Sequence, residues 1–395
     1  MKYERNKENN ISGGLMLLMA AACGLIVANL YYAQPLVGPI SAATNISQSA
    51  SGFIVTITQL GYAIGLLFLV PLSDLLENKR LIHAILIIVI LGLVTASMAR
   101  NASVYFIAAA LIGLGSVAAQ IIVPFAAHLA IPEQRGAIVG KIMSGLLLGI
   151  MLARPVASLI TSLWNWQLVF IVSAGIMMLL FMLLYFKLPK RKPVPKDRYP
   201  DILKSLWYHF RYTQVLRRRA LYQAALFGSF SLFWTVVPLW LSEHFQLDQQ
   251  GIALFGLAGV AGAIAAPIAG KLADRGWSGR LTGFALLLAS FSFVFTHLQP
   301  GNKFLSLLIF CLAAILLDMS VSGNLVLGQQ AIYGLGDEIR GRVNGVFMAV
   351  FFGGGAIGSS LGGWAYAQGS WNWASVIGVV LPILAFLYYL TEKKQ

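Results

Sequence analysis

Two charged side chains stand where charge is expensive. Asp318 lies about 15 residues from either end of an apolar run near 303–332, and Arg154 lies about 17 residues into another near 137–161. Translocon scales put a charged residue at the centre of a membrane helix at about +2.5–3.5 kcal/mol, so such residues normally face a cavity and carry function. Asp318 reads either as a proton site or substrate contact, or as a neutral, hydrogen-bonded packing carboxyl. At 1.5 Å of rise per residue, Arg154 differs from it in depth by roughly a turn or two. The arginine has three readings: a pair with Asp318 that couples a proton to a conformation, an anchor for an anionic substrate, or a side chain that snorkels to the interface. Around this pair, polar and aromatic residues inside other runs form a candidate substrate cavity. They are Asn29, Tyr32 and Gln34 ahead of Pro35, then Gln120, Trp234, Asn324 and Gln329. Aromatic walls with a few polar groups are what a ligand site needs. For each residue alone, interhelical hydrogen bonding is the competing reading.

The elements that must position these residues are membrane helices. Of the 395 residues, 58% are hydrophobic, 11% charged and 12% aromatic, and mean hydropathy is +0.78. Soluble domains average about 25% charged residues, and disordered chains are poor in aromatics. A helix needs roughly 20 apolar residues to cross the hydrocarbon. Twelve such runs occur, near 14–39, 50–72, 81–99, 102–130, 137–161, 167–187, 219–241, 250–271, 281–298, 303–332, 342–366 and 373–390. None shows the two-residue alternation of a membrane barrel. The first run is too long for a cleaved signal core and is expected to stay.

Of the 28 Lys and Arg residues, all but Arg100, Arg154 and Lys303 fall on or beside the face that holds both termini, which makes 25. The positive-inside rule places that face in the cytoplasm. The net charge of +14 is therefore topological and is no sign of nucleic-acid binding. Cys23 and Cys311 lie inside runs and are expected to pack as small apolar residues. No Walker signature, zinc-ligand spacing or nucleophile elbow occurs, so the chain reads as a non-enzyme with no metal or cofactor. Gly353, Gly354, Gly355, Gly358 and Gly362 follow no strand and read as close helix packing.

A repeat of about 200 residues divides the chain. Asp74 recurs as Asp274, 200 residues on. Glu133-Gln134-Arg135-Gly136 recurs as Glu338-Ile339-Arg340-Gly341, with the arginines 205 apart, and Trp164-Asn165-Trp166 recurs as Trp371-Asn372-Trp373, 207 on. The halves are residues 1–187 and 219–395, and a basic linker, 188–218, joins them; a stretch near 201–215 has the spacing of an amphipathic helix, with a plain tether as the simpler reading.

Gly270-Lys271-Leu272-Ala273-Asp274-Arg275, its first-half copy Val70-Pro71-Leu72-Ser73-Asp74 through Lys79-Arg80, and Gly145-Leu146-Leu147-Leu148-Gly149 with Pro155 carry a family resemblance. The sequence resembles the major facilitator superfamily, and within it bacterial twelve-span drug:proton antiporters. That resemblance implies an all-α membrane protein with twelve transmembrane helices in two six-helix, pseudo-symmetric bundles. It also implies alternating access, proton-coupled efflux of a small organic compound, and a monomer in the bacterial inner membrane. Asp74, Lys79, Arg80, Arg135, Asp274, Arg275 and Arg340 are the implied gating residues. A uniporter or proton symporter for a sugar, nucleoside or amino acid is the alternative, and a non-transporting sensor the more distant one.

Overall fold

The computed structural model describes residues 12–131, 134–195, 197–262, 264–298, 300–336 and 339–392. Glu133 and Glu338 of the repeated motif, and most of both terminal tails, lie outside them. Among the described residues the chain is helical, with no strand. Ten helical stretches have the length and hydropathy to cross a membrane. The twelve runs expected from sequence all fall on helix, but several are interrupted.

The first run is two helices, α1 (Gly13–Ala28) and α2 (Val37–Thr44), separated by a turn and the 3-10 segment Gln34–Leu36. The break has local causes. Pro35 and Pro39 lack the N–H that an α-helix needs. The Asn29 amide donates to the carbonyls of Leu25 and Ile26 at 3.1 and 3.0 Å, taking up acceptors at the end of α1. Next come α3 (Phe53–Phe68), α4 (Asn78–Ser97), α5 (Ala102–Ser116) with α6 (Ala118–Leu129), α7 (Arg135–Leu163) and α8 (Trp166–Lys187). Asn165, the centre of the first Trp-Asn-Trp, caps α8 by accepting from the Leu168 N–H at 2.9 Å.

The linker carries a helix, α9 (Tyr199–Tyr212), and the next helix, α10 (Gln214–Phe245), begins five residues before the span edge expected from sequence. The eighth run is in three pieces, α11 (Gln249–Gly256), α12 (Ala258–Gly262) and α13 (Ala265–Ala273); α14 (Ser278–Phe295) and α15 (Lys303–Tyr333) follow. The last, α16 (Arg340–Leu390), is 51 residues long, about 77 Å at 1.5 Å per residue and over twice a hydrocarbon core. Gly369 and Ser370, the latter at φ 56°, are non-helical and divide it into two limbs. The halves also repeat in backbone detail: α2 ends on Asn45 and α10 on Gln246, both left-handed at φ 55°.

The halves meet most tightly away from the linker. There Gly52 of the first half lies against Ser359 and Gly363 of α16 so closely that a Cβ on Gly52 would collide with the Ser359 carbonyl. The Thr56 hydroxyl bonds the Ala356 carbonyl at 3.2 Å and the Ser359 hydroxyl at 2.8 Å, and the Gln59 amide donates to Ser231 at 2.7 Å. Towards the linker side the same seam loosens: a Cβ on Gly345 would stand 4.0 Å from the Leu66 carbonyl. Small residues let backbones approach, which is how helices associate in lipid, where apolar burial drives little. Gly52→Ala should therefore part the seam at its tight end. Spin labels on Ser49→Cys and Gln368→Cys would report a longer separation in that background, and an unchanged distance in a folded protein would contradict this account.

Candidate functional site

Asp318 occupies the middle of α15, 15 residues from Lys303 and 15 from Tyr333. Arg154 reaches it from α7 in the other half: Nη2 donates to Asp318 Oδ2 at 3.4 Å, with both side chains about 95% buried or more. The second carboxylate oxygen accepts from Trp234 Nε1 of α10 at 2.9 Å. The guanidinium lies over the Trp234 ring, 3.8 Å from its centroid, and 5.1 Å from that of Phe230. Cation–π contact of this kind is worth up to about 2 kcal/mol when desolvated. Tyr31, in the break between α1 and α2, is within electrostatic reach of both charges.

The pair needs room, and α12 supplies it by having no side chains there. A Cβ on Gly259 would sit 2.7 Å from Asp318 Oδ2, 3.0 Å from Arg154 Nη2 and 3.1 Å from the Trp234 ring, and one on Gly262 would collide with the Asp318 Cβ. This five-residue helix lies between the two interruptions of the eighth run, so the backbone that walls the pair is also the backbone that is broken.

The other cavity candidates are placed differently. Asn29 is 2% exposed and turns into its own half, accepting from the Ser173 hydroxyl at 2.6 Å. Tyr32, also buried, faces the same serine. Gln34 is fully buried with no partner for either amide atom. Gln120 donates to the Tyr62 hydroxyl at 3.0 Å. Asn324 donates to Gln223 at 2.8 Å, which ties α15 to α10, and Gln329 donates to Asn344 at 3.4 Å. Of the seven, Trp234 is the one bonded to the pair. Sequence reasoning missed Phe230, Gly259 and Gly262; the signal for the last two was the Gly256, Gly259, Gly262 spacing in the eighth run.

Near the linker the gating candidates scatter. Arg80 pairs with Glu77 at 3.1 Å, Lys79 lies over the Tyr185 ring, and the Arg135 guanidinium donates to the Ala130 carbonyl at 3.4 Å. Asp74 instead feels Arg342 and Arg191 most strongly among opposite charges. Asp274 accepts from Gln330 at 2.7 Å; the Arg340 guanidinium lies over Tyr333, and Arg275 follows Asp274 at the end of α13. The linker touches both halves. Arg191 donates to Asn78 at 2.7 Å, the Tyr199 hydroxyl donates to the Phe68 carbonyl at 2.9 Å, and Asp197 pairs with Arg342. Partial burial, with Arg342 nearby, holds the His209 imidazole of α9 below its ordinary range. Cys23 and Cys311 are free thiols, Cys23 buried and facing the Ala119 carbonyl.

A polytopic helical protein with a charge pair buried where its two halves meet has the build of a membrane carrier. Comparison with known proteins makes this specific. The family model described as Major Facilitator Superfamily matches residues 16–333, and the chain belongs to that superfamily. It is 40% identical over 382 residues to "Uncharacterized transporter YgaY" of Escherichia coli O157:H7, covering 96% of each chain. It is 29% identical to "Probable transporter SCO4007" of Streptomyces coelicolor, covering 92% of this chain and 83% of that one. Among solved structures it resembles a bacterial homolog of the human lysosomal transporter Spinster in an inward-facing, occupied conformation, with a TM-score of 0.74 at 14% identity over 95% of both chains. The protein is a multi-pass membrane transporter.

Removing one member of a buried ion pair typically costs about 3–5 kcal/mol, whereas replacing both by apolar groups is often neutral. Arg154→Leu alone should therefore destabilise the protein by about that much, and Arg154→Leu with Asp318→Leu should recover most of it. Chemical unfolding in detergent checks this; two additive losses would mean that the side chains do not act as a pair.

Proposed function

We propose that the chain is a secondary active transporter that moves a small organic compound by alternating access and couples it to protons through Asp318 and Arg154. The observation that carries the reading is the ion pair itself: it joins α7 of one half to α15 of the other, so rocking of the halves must stretch or break it. An unpaired carboxylate in a low-dielectric interior is costly and tends to neutralise by taking up a proton. A pair that closes in one arrangement and opens in another thereby links protonation to shape. In this reading the polypeptide crosses the bilayer twelve times, in bundles 1–187 and 219–395, with the linker and both termini in the cytoplasm of a bacterial inner membrane. The tight seam at Gly52, Ser359 and Gly363 is then the closed outer gate. Asp74, Arg342 and Arg191 line the inner gate, where the Asp197–Arg342 pair ties the linker to α16.

Two stoichiometries use the same pair. Export in exchange for protons needs substrate and proton to exclude each other at Asp318; transport with protons needs both bound at once. The second is favoured by one observation: both Asp318 oxygens already accept a hydrogen bond, whereas Arg154 Nε and Nη1 donate none. With a compound found by ligand stabilisation of the purified protein, Asp318→Asn in proteoliposomes should abolish accumulation driven by an imposed pH gradient and spare counterflow exchange. Undiminished driven accumulation would take Asp318 out of the coupling role.

A further inference from the structure

We infer that Arg154, together with the break in the first helix, forms an anion subsite that binds the carboxylate of an aromatic organic acid and binds it together with one proton. This rests on the coupling role of Asp318 proposed above. Arg154 is 3% exposed, yet its Nε and Nη1 have no hydrogen-bond partner. A guanidinium has only donors to offer, so what completes it is an acceptor.

The surroundings point the same way. The Gln34–Leu36 turn packs against both α7 and α10, the helices of Arg154 and Trp234. Gln34 on that turn is 0% exposed, with both amide atoms unpartnered. Ser158, one helical turn beyond Arg154, and Thr235, beside Trp234, are equally buried and their hydroxyls equally unpartnered. An unsatisfied buried polar group costs about 1–3 kcal/mol, and here four residues incur that cost on α7, on α10 and on the turn that packs against both. The Arg154 guanidinium lies among aromatic rings, over Trp234 and near Phe230, with Phe255 packed edge-on to Trp234 at 5.8 Å, which suits an aromatic acid.

The proton follows from charge balance. A bound carboxylate and Asp318 would place two negative charges on one guanidinium, and a single proton restores neutrality inside the hydrocarbon. Bound anion and bound proton therefore favour one another, as co-transport requires.

Benzoate, its neutral analogue benzamide and the cation benzylamine test this by calorimetry on the purified full-length protein, in two buffers of different ionisation heat. Benzoate should bind at least about tenfold more tightly than either analogue, a difference of about 1.4 kcal/mol, with uptake of close to one proton. Gln34→Leu and Arg154→Lys should each weaken benzoate at least about tenfold. Gln34→Leu removes two unpaired polar atoms, so its thermal unfolding should stay at or above that of the parent. Asp318→Asn should keep the benzoate preference and lose the proton uptake. Equal binding of the three probes, or benzoate binding untouched by Gln34→Leu, would overturn the subsite. Gradient-driven flux that survives Asp318→Asn while the benzoate preference stands would overturn the coupling role alone.

Discussion

One buried ion pair sets the terms for the rest of this structure. Neither Asp318 nor Arg154 is affordable alone at that depth in lipid; each is costly until the other neutralises it. Their contact at 3.4 Å fixes how α7 and α15 approach. The Trp234 indole, which bonds the acid and faces the arginine, brings α10 to the same point. Gly259 and Gly262 let α12 close against it without a clash. Four elements from both halves thus converge on about one unit charge of each sign, which makes their packing depend on whether that charge balance holds.

The interruptions in the helices gather around the same point. The first run breaks at Asn29–Leu36 and the eighth at Leu257 and again after Gly262, and both lie against the pair. Irregular backbone at membrane depth is tolerated only where protein or a water-lined cavity satisfies its polar groups. In the first run part of that satisfaction is visible, since the Asn29 side chain bonds two freed carbonyls. Where continuous helices would transmit motion as rigid rods, broken ones let the segments beside the charges reorient without dragging the whole span.

How much of this was legible in the sequence follows from which forces are local. Hydropathy is local, and the twelve runs it marked fall on helix, whereas α9 in the linker, amphipathic and not apolar, was not among them. The repeat was equally visible, because Asp74 and Asp274 or the two Trp-Asn-Trp segments match without any knowledge of packing. Asp318 and Arg154 stood out because charge inside an apolar run is itself the anomaly, and depth alone limited which partners they could reach. Lateral placement was not legible. Asp74 could be read as a gating carboxylate, but its partners could not: the fold brings Arg342 from the other half and Arg191 from the linker to act on it. Clearance was not legible either: nothing in the letters says that Gly259 must be small for the sake of a carboxylate on another helix. The start of α10 at Gln214 instead of near 219 shows that an arginine triplet need not end a helix when its charges find partners, as Arg218 does at Thr391 and Arg219 at Glu392.

Why a pair and not a lone acid? A solitary carboxyl in hydrocarbon would simply stay neutral, because ionising it costs more than a proton is worth. It could bind a proton but would have little reason to release one. Arg154 makes the ionised form tolerable, and so makes release a real alternative to retention. The arginine can do so only while it faces the acid, and the two sit on different halves. In the proposed coupling, control over the proton therefore belongs to whatever competes for Arg154, either motion of α7 relative to α15 or an acceptor brought by the cargo. With two of its donors unspent, the guanidinium can meet a second acceptor without first leaving Asp318. In the proposed cycle, cargo thereby arrives before the proton moves, and binding triggers the step that follows it.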